Sequence, residues 1–204
     1  MRLYRPEGAG FWGDYGRILI NGLGPWYCGR EDGLIALHRT GPFVPPISFP
    51  DGGIVVTDDF RDILEKTFSG LHFQPVVKKR IVSFRWENWD KTIPEPKRYP
   101  AGGEPENYIL KRRHSEKVAN EVGPLWELIV KPALKYKMIG DWQKGYVCHV
   151  LESSWNGDHF LSLDKFSDVR PVVTETAKEF LDLHAGEWID FNEVAVVKEL
   201  PRTK

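Results

Sequence analysis

The sequence predicts an α+β fold, a bent mixed or antiparallel sheet with about four helices that contains two related strand–helix–strand units. Three observations predict it. A segment near the middle of the chain is repeated near its end. Short β-branched runs are separated by Gly and Pro throughout. Helical spacing of apolar residues is confined to a few stretches.

The first third, residues 1–53, is rich in Gly, Pro and aromatics. Short extended pieces are expected at Tyr15–Asn21 and Leu34–His38, and Pro42, Pro45, Pro46 and Pro50 favour an extended path along one edge. The repeat then begins. Val55-Val56-Thr57 matches Val172-Val173-Thr174, Ile63-Leu64-Glu65 matches Phe180-Leu181-Asp182, and Gly70 and Phe73 match Gly186 and Phe191 across small length differences. In both copies a strand end leads to a Thr able to cap a helix. Acidic residues follow in the first turn, Asp58 and Asp59 in one copy and Glu175 in the other, where they suit the helix dipole. Phe60, Ile63, Leu64 and Phe68 fit helical spacing in the first copy, and Ala177, Phe180, Leu181 and His184 in the second. Strands ending at Phe73–Val77 and Asp190–Val197 complete the two units, 54–76 and 171–194, within a single domain spanning 1–204.

Between the copies, Arg80–Trp86 alternates as a strand and 87–107 reads as loop. Ser115–Met138 carries Val118, Val122, Leu125, Ile129 and Ala133 at helical spacing, with Ser115 as cap, a break at Gly123-Pro124 and a kink at Pro132. Gly145–Ser153 and Asp158–Asp164 flank Asn156-Gly157, a strong hairpin signal.

Composition narrows function by exclusion. The chain has 204 residues, 41% hydrophobic and 13% aromatic with eight Trp, which is ample for a packed core. No apolar run approaches the roughly 20 residues that span a bilayer, and the N-terminus has no signal-peptide pattern. With only Cys28 and Cys148 there is no disulfide framework and no four-thiolate zinc site, so a cytoplasmic protein with no metal and no cofactor is expected. The net charge of −1 hides a segregation: the balance is −2 over residues 1–70, +6 over 71–140 and −5 over 141–204. Oligomeric state is not readable.

Phosphate-loop, dinucleotide, GxSxG and HExxH patterns are all missing, so no enzyme is expected. A hairpin about Asn156-Gly157 would set His149 across from Asp164, a plausible structural pair. The stretch 78–89, from Lys78-Lys79-Arg80 to Trp86 and Trp89, interleaves cations with rings as single-strand nucleic-acid binders do. An alternating strand gives the same pattern, and the chain is slightly acidic, so a nucleic-acid-binding regulator stands, with a small enzyme, as an alternative. The acidic last third offers exposed aromatics beside carboxylates, the raw material of protein-binding hot spots. Trp155, Asp158 and His159 at the hairpin tip, with Glu187 and Asp190, form the expected partner-binding face.

Arg39-Thr40-Gly41-Pro42-Phe43, the run Val55-Val56-Thr57-Asp58-Asp59-Phe60-Arg61-Asp62-Ile63-Leu64-Glu65, and Phe73-Gln74-Pro75-Val76 together resemble bacterial immunity proteins encoded beside polymorphic or contact-delivered toxins. Those families show a strand, a Ser/Thr-capped helix with F-x-x-x-L-E, and a following F-x-P-V strand. Val172 to Val194 resembles the repeat of that unit near their C-termini. The resemblance covers about a third of the chain and transfers no catalytic residue. It implies a cytoplasmic protein that binds and neutralises a cognate toxin.

Overall fold

The computed structural model describes residues 1–11, 13–84, 103–141, 145–163 and 171–201. In chain order the elements are β1 (Leu3–Gly8), α1 (Gly13–Asn21), α2 (Pro25–Cys28), β2 (Arg30–Glu31), β3 (Leu34–Gly41), β4 (Ile47–Ser48), β5 (Ile54–Thr57), α3 (Asp58–Thr67), β6 (Phe73–Pro75) and β7 (Val77–Ser83). There follow α4 (Pro105–Lys111), α5 (Glu116–Val122), β8 (Leu125–Leu128), β9 (Pro132–Leu134), β10 (Tyr136–Asp141), β11 (Gly145–Leu151), β12 (Phe160–Leu163), β13 (Pro171–Thr174), α6 (Glu175–Ala185) and β14 (Ile189–Val197). The class is α+β, with six described helices rather than four.

Contacts group the chain into two compact units, one of residues 8–129 and one of residues 1–7 with 130–204. The first holds a three-stranded sheet, β2-β3-β7, and a four-stranded sheet, β4-β5-β8-β6. The second holds a seven-stranded mixed sheet in the order β10-β11-β14-β1-β13-β12-β9. Its core gathers Leu3, Leu134, Val150, Leu161 and Val172, all at most 1% exposed.

The repeated units are both strand–helix–strand, and their likeness extends beyond the matched sequence. In β4-β5-β8-β6 the helix α3 joins β5 to β6 across an intervening strand, β8. In β12-β13-β1-β14 the helix α6 joins β13 to β14 across β1. The register agrees residue by residue. Leu125 and Trp126 oppose Thr57 and Val56, as Leu3 and Tyr4 oppose Thr174 and Val173. Ile47 opposes Val56 as Phe160 opposes Val173. Thr57 N–H donates to Pro46 O at 3.1 Å, and Thr174 N–H donates to His159 O at 3.1 Å. Four residues into each helix a cation lies over the intruding aromatic: Arg61 over Trp126 at 4.3 Å and Lys178 over Tyr4 at 5.6 Å. The strand completing each unit comes from far along the chain. β1 precedes the other described elements and serves the second unit, while β8 follows its own unit's helix.

Both helices start as the capping Thr predicts. Thr57 Oγ1 accepts from Phe60 N and Thr174 Oγ1 from Ala177 N, each at 3.4 Å. Thr57→Ala should lower the unfolding free energy by about 1 kcal/mol. Thr174→Ala should cost about 2 kcal/mol, because the hydrogen bond between His159 Nδ1 and the same oxygen, at 2.8 Å, is removed as well. Denaturant melts of the two variants check the order; equal losses would detach His159 from the cap.

Three sequence expectations are corrected. Tyr15–Asn21 is helical: Leu19 and Ile20 are both fully buried, so the β-branched run serves a helix packed between β3 and α4. Ser115 caps α5 as expected, accepting from Val118 N at 3.4 Å, but no helix follows Pro124. Leu125–Leu128 is instead the strand between β5 and β6, and β9 and β10 occupy the rest of that stretch. Finally, β11 and β12 do not form a hairpin. β11 pairs with β10 and β14 while β12 pairs with β13 and β9, so the connection through Asn156-Gly157 crosses the sheet. The Pro-rich path does end at an edge, since β4 borders the four-stranded sheet. At Gly22 the left-handed φ of +79° and a Cβ position 2.8 Å from His38 O require glycine, because Leu23 and His38 exchange backbone bonds there.

Candidate functional site

The connection after β11 makes one turn of 3-10 helix over Glu152–Ser154 and then a short loop to β12. The loop is held by its own polar groups. Trp155 Nε1 donates to Asp158 O at 2.8 Å, Asp158 N–H to Asn156 Oδ1 at 3.1 Å, and Asn156 Nδ2 to Asp158 Oδ2 at 2.8 Å. The Asn side chain thus mimics a backbone turn, and Gly157 takes the left-handed conformation at φ +99°. The Trp155 ring remains 40% exposed and Asp158 is exposed. His159 turns inward to the Thr174 cap of α6.

Glu187 and Asp190 are exposed but sit elsewhere. They follow the C-terminal end of α6, whereas His159 is at its N-terminal end, and eleven residues of helix span about 16 Å. The structure therefore brings Trp155 and Asp158 together with His159 behind them, and leaves Glu187 and Asp190 as a separate acidic pair of positions.

The most exposed described tryptophan is Trp26, outside the expected partner-binding face. Trp26 is 71% exposed and Tyr27 51%, both on the single-turn helix α2. Asp51 Oδ2 accepts from Gly24 N–H and Trp26 N–H, both at 3.0 Å, which fixes the turn. Burial pushes the Asp51 carboxyl above the ordinary range, against those two bonds. The available signal was the bracket Gly24-Pro25 and Gly29 around Trp26-Tyr27-Cys28: a turn too short to bury a face.

A cavity of about 440 Å³ opens at the head of α3, lined by Val44, Pro46, Thr57, Asp58, Asp59, Val122, Gly123 and Pro124. Asp58 Oδ1 accepts from Trp126 Nε1 at 2.7 Å and pairs with Arg61 at 3.2 Å.

His149 lies across from Lys137 and Ala195, not in a hairpin pair, and Asp164 lies outside the described residues. Burial raises the thiols of Cys28 and Cys148 above their ordinary range, the opposite of what a nucleophile needs. Among the described residues no group of three or more His, Cys, Asp or Glu is placed to hold a metal ion. The cations of 78–80 are engaged within the fold. Lys78 Nζ donates to Ala119 O and, at 2.9 Å, to Gly123 O at the end of α5; Arg80 donates to Leu110 O in the last turn of α4; Lys79 pairs with Glu31 at 2.6 Å. Trp86 and Trp89 lie outside the described residues. No described helix is long and apolar enough to cross a membrane. No family model, curated protein or solved structure matches the chain.

Proposed function

We propose that this chain is a cytoplasmic immunity protein that binds and neutralises a cognate bacterial toxin by protein–protein contact. The observation that carries the reading is the loop 155–158, where an exposed indole and an exposed carboxylate are locked by three hydrogen bonds before any partner arrives. A preordered aromatic anchor avoids much of the ordering cost of association. The Asp158 carboxylate beside it speeds encounter with the positive active site of a toxin that acts on nucleic acid or nucleotides. The nucleic-acid alternative is weakened because Lys78 and Arg80 serve as helix caps and Lys79 is ion-paired.

Co-expression with the toxin encoded beside its gene tests the reading: the chain should rescue growth and form a stable complex. Trp155→Ala should weaken that complex by about 2 kcal/mol or more with the fold intact. Asp158→Lys should mainly slow association, less so at high salt. No rescue and no complex removes the immunity reading. Rescue with both variants equal to the parent keeps the reading and removes this loop from the interface.

A further inference from the structure

One difference between the two repeated units coincides with a cavity. In the second unit the residue before the intruding strand's Leu3 is Arg2, which forms an ion pair with Glu175, the first residue of α6. The residue whose carbonyl receives the capping Thr's N–H is His159, whose ring reaches the Thr hydroxyl. In the first unit the register puts Pro124 in the place of Arg2 and Pro46 in the place of His159. Asp58 stands in the place of Glu175, with Asp59 exposed beside it. Two prolines thus replace an arginine and a histidine, and the cavity of about 440 Å³ lies between them, with both aspartates on its wall.

We infer that this cavity receives the guanidinium of an arginine presented by a protein partner, completing at α3 the ion pair that Arg2 completes at α6. Charge favours it. Arg61 is the cation that the structure gives Asp58, and it is shared with Asp62 and Glu65, while Asp59 adds a further negative charge. The bonds that the structure gives Asp58 both fall on Oδ1. Shape favours it too: Val44, Pro46, Val122 and Pro124 offer apolar walls to an arginine stem and to the weakly hydrated faces of its guanidinium. This site is independent of the toxin reading, since it follows from comparing the two units and would serve any arginine-bearing partner.

Trp126 supplies the reporter, because its indole N–H bonds to Asp58. In nitrogen–proton spectra of the full chain, with the indole signal identified through Trp126→Phe, N-acetyl-arginine methylamide should shift that signal saturably. The lysine analogue should act several-fold more weakly. Pro124→Arg, which supplies the missing side chain in cis, should abolish the response, and Asp59→Asn should weaken it several-fold. Should Pro124→Arg fail to fold, the exposed substitution Asp59→Lys takes its place with the same expected loss. An indole signal that ignores the arginine probe, a lysine response as strong as the arginine one, or a response that survives both Asp59→Lys and Asp58→Asn would overturn the assignment. Loss of toxin protection without loss of this response would strike the function and leave the site standing.

Discussion

Arg39→Ala is expected to lower the unfolding free energy by about 3 kcal/mol, whereas Arg39→Met should stay within about 1 kcal/mol of the parent. Arg39 is completely buried in β3, and its side chain donates to Thr40 O and Ile20 O at 3.1 Å and to Phe43 O at 3.5 Å. Its Nη1 has no partner among the described residues. Burial alone pushes the guanidinium below its ordinary range, to about 10, which corresponds to a penalty of about 3 kcal/mol for keeping it charged. Methionine removes that penalty and three hydrogen bonds of about 1 kcal/mol each, which nearly cancel, and it keeps the stem. Alanine also opens a cavity, and the cavity decides the sign. The pH dependence follows. Below about pH 10 both the folded and unfolded states hold the proton, so the penalty is constant. Above about pH 10 the folded state releases it while the unfolded chain keeps it, so this group makes stability rise with pH until the unfolded chain titrates as well. The rise should vanish in Arg39→Met. Equal damage from Met and Ala in denaturant melts would mean that the charge itself is needed.

The second large effect is in the same unit. Glu127 lies on β8 with its side chain 6% exposed, accepting from Arg30 Nη2 and Nη1 at 2.7 and 3.0 Å and from Gln74 Nε2 at 2.6 Å. Arg30→Met should cost about 3 kcal/mol, because it strands a buried carboxylate. The lower end of the usual range applies, since Arg30 is itself 41% exposed and screened. The double variant Arg30→Met with Glu127→Leu should recover most of the loss, giving a coupling well above zero in a double-mutant cycle. Additive losses would show that the pair is not coupled.

Glu127 also explains what could be read in advance. Leu125-Trp126-Glu127-Leu128 is too short for its period to separate helix from strand, and its charge is buried only because Arg30 arrives from 97 residues earlier. By contrast α3 and α6 were legible because cap, first-turn acids and apolar spacing agree within each segment. Trp155 and Asp158 were legible as an exposed tip, since Asn156-Gly157 enforces a local turn. The crossing of the sheet by that segment was not, because strand order depends on β1, β13 and β14 and leaves no mark between residues 152 and 160. The cavity at α3 was equally hidden: Pro46 and Pro124 read as chain breakers, and only the paired registers reveal them as replacements.

The seating of β1 in the later unit bears on how the chain is made. β1 is synthesised before residues 8–129, whereas its two sheet neighbours, β13 and β14, are synthesised after them. Residues 8–129 contain every strand of their own two sheets and can close while translation continues. Leu3 and Tyr4 wait until that whole unit has been made, and removal of β1 would injure the sheet of β13 and β14 first.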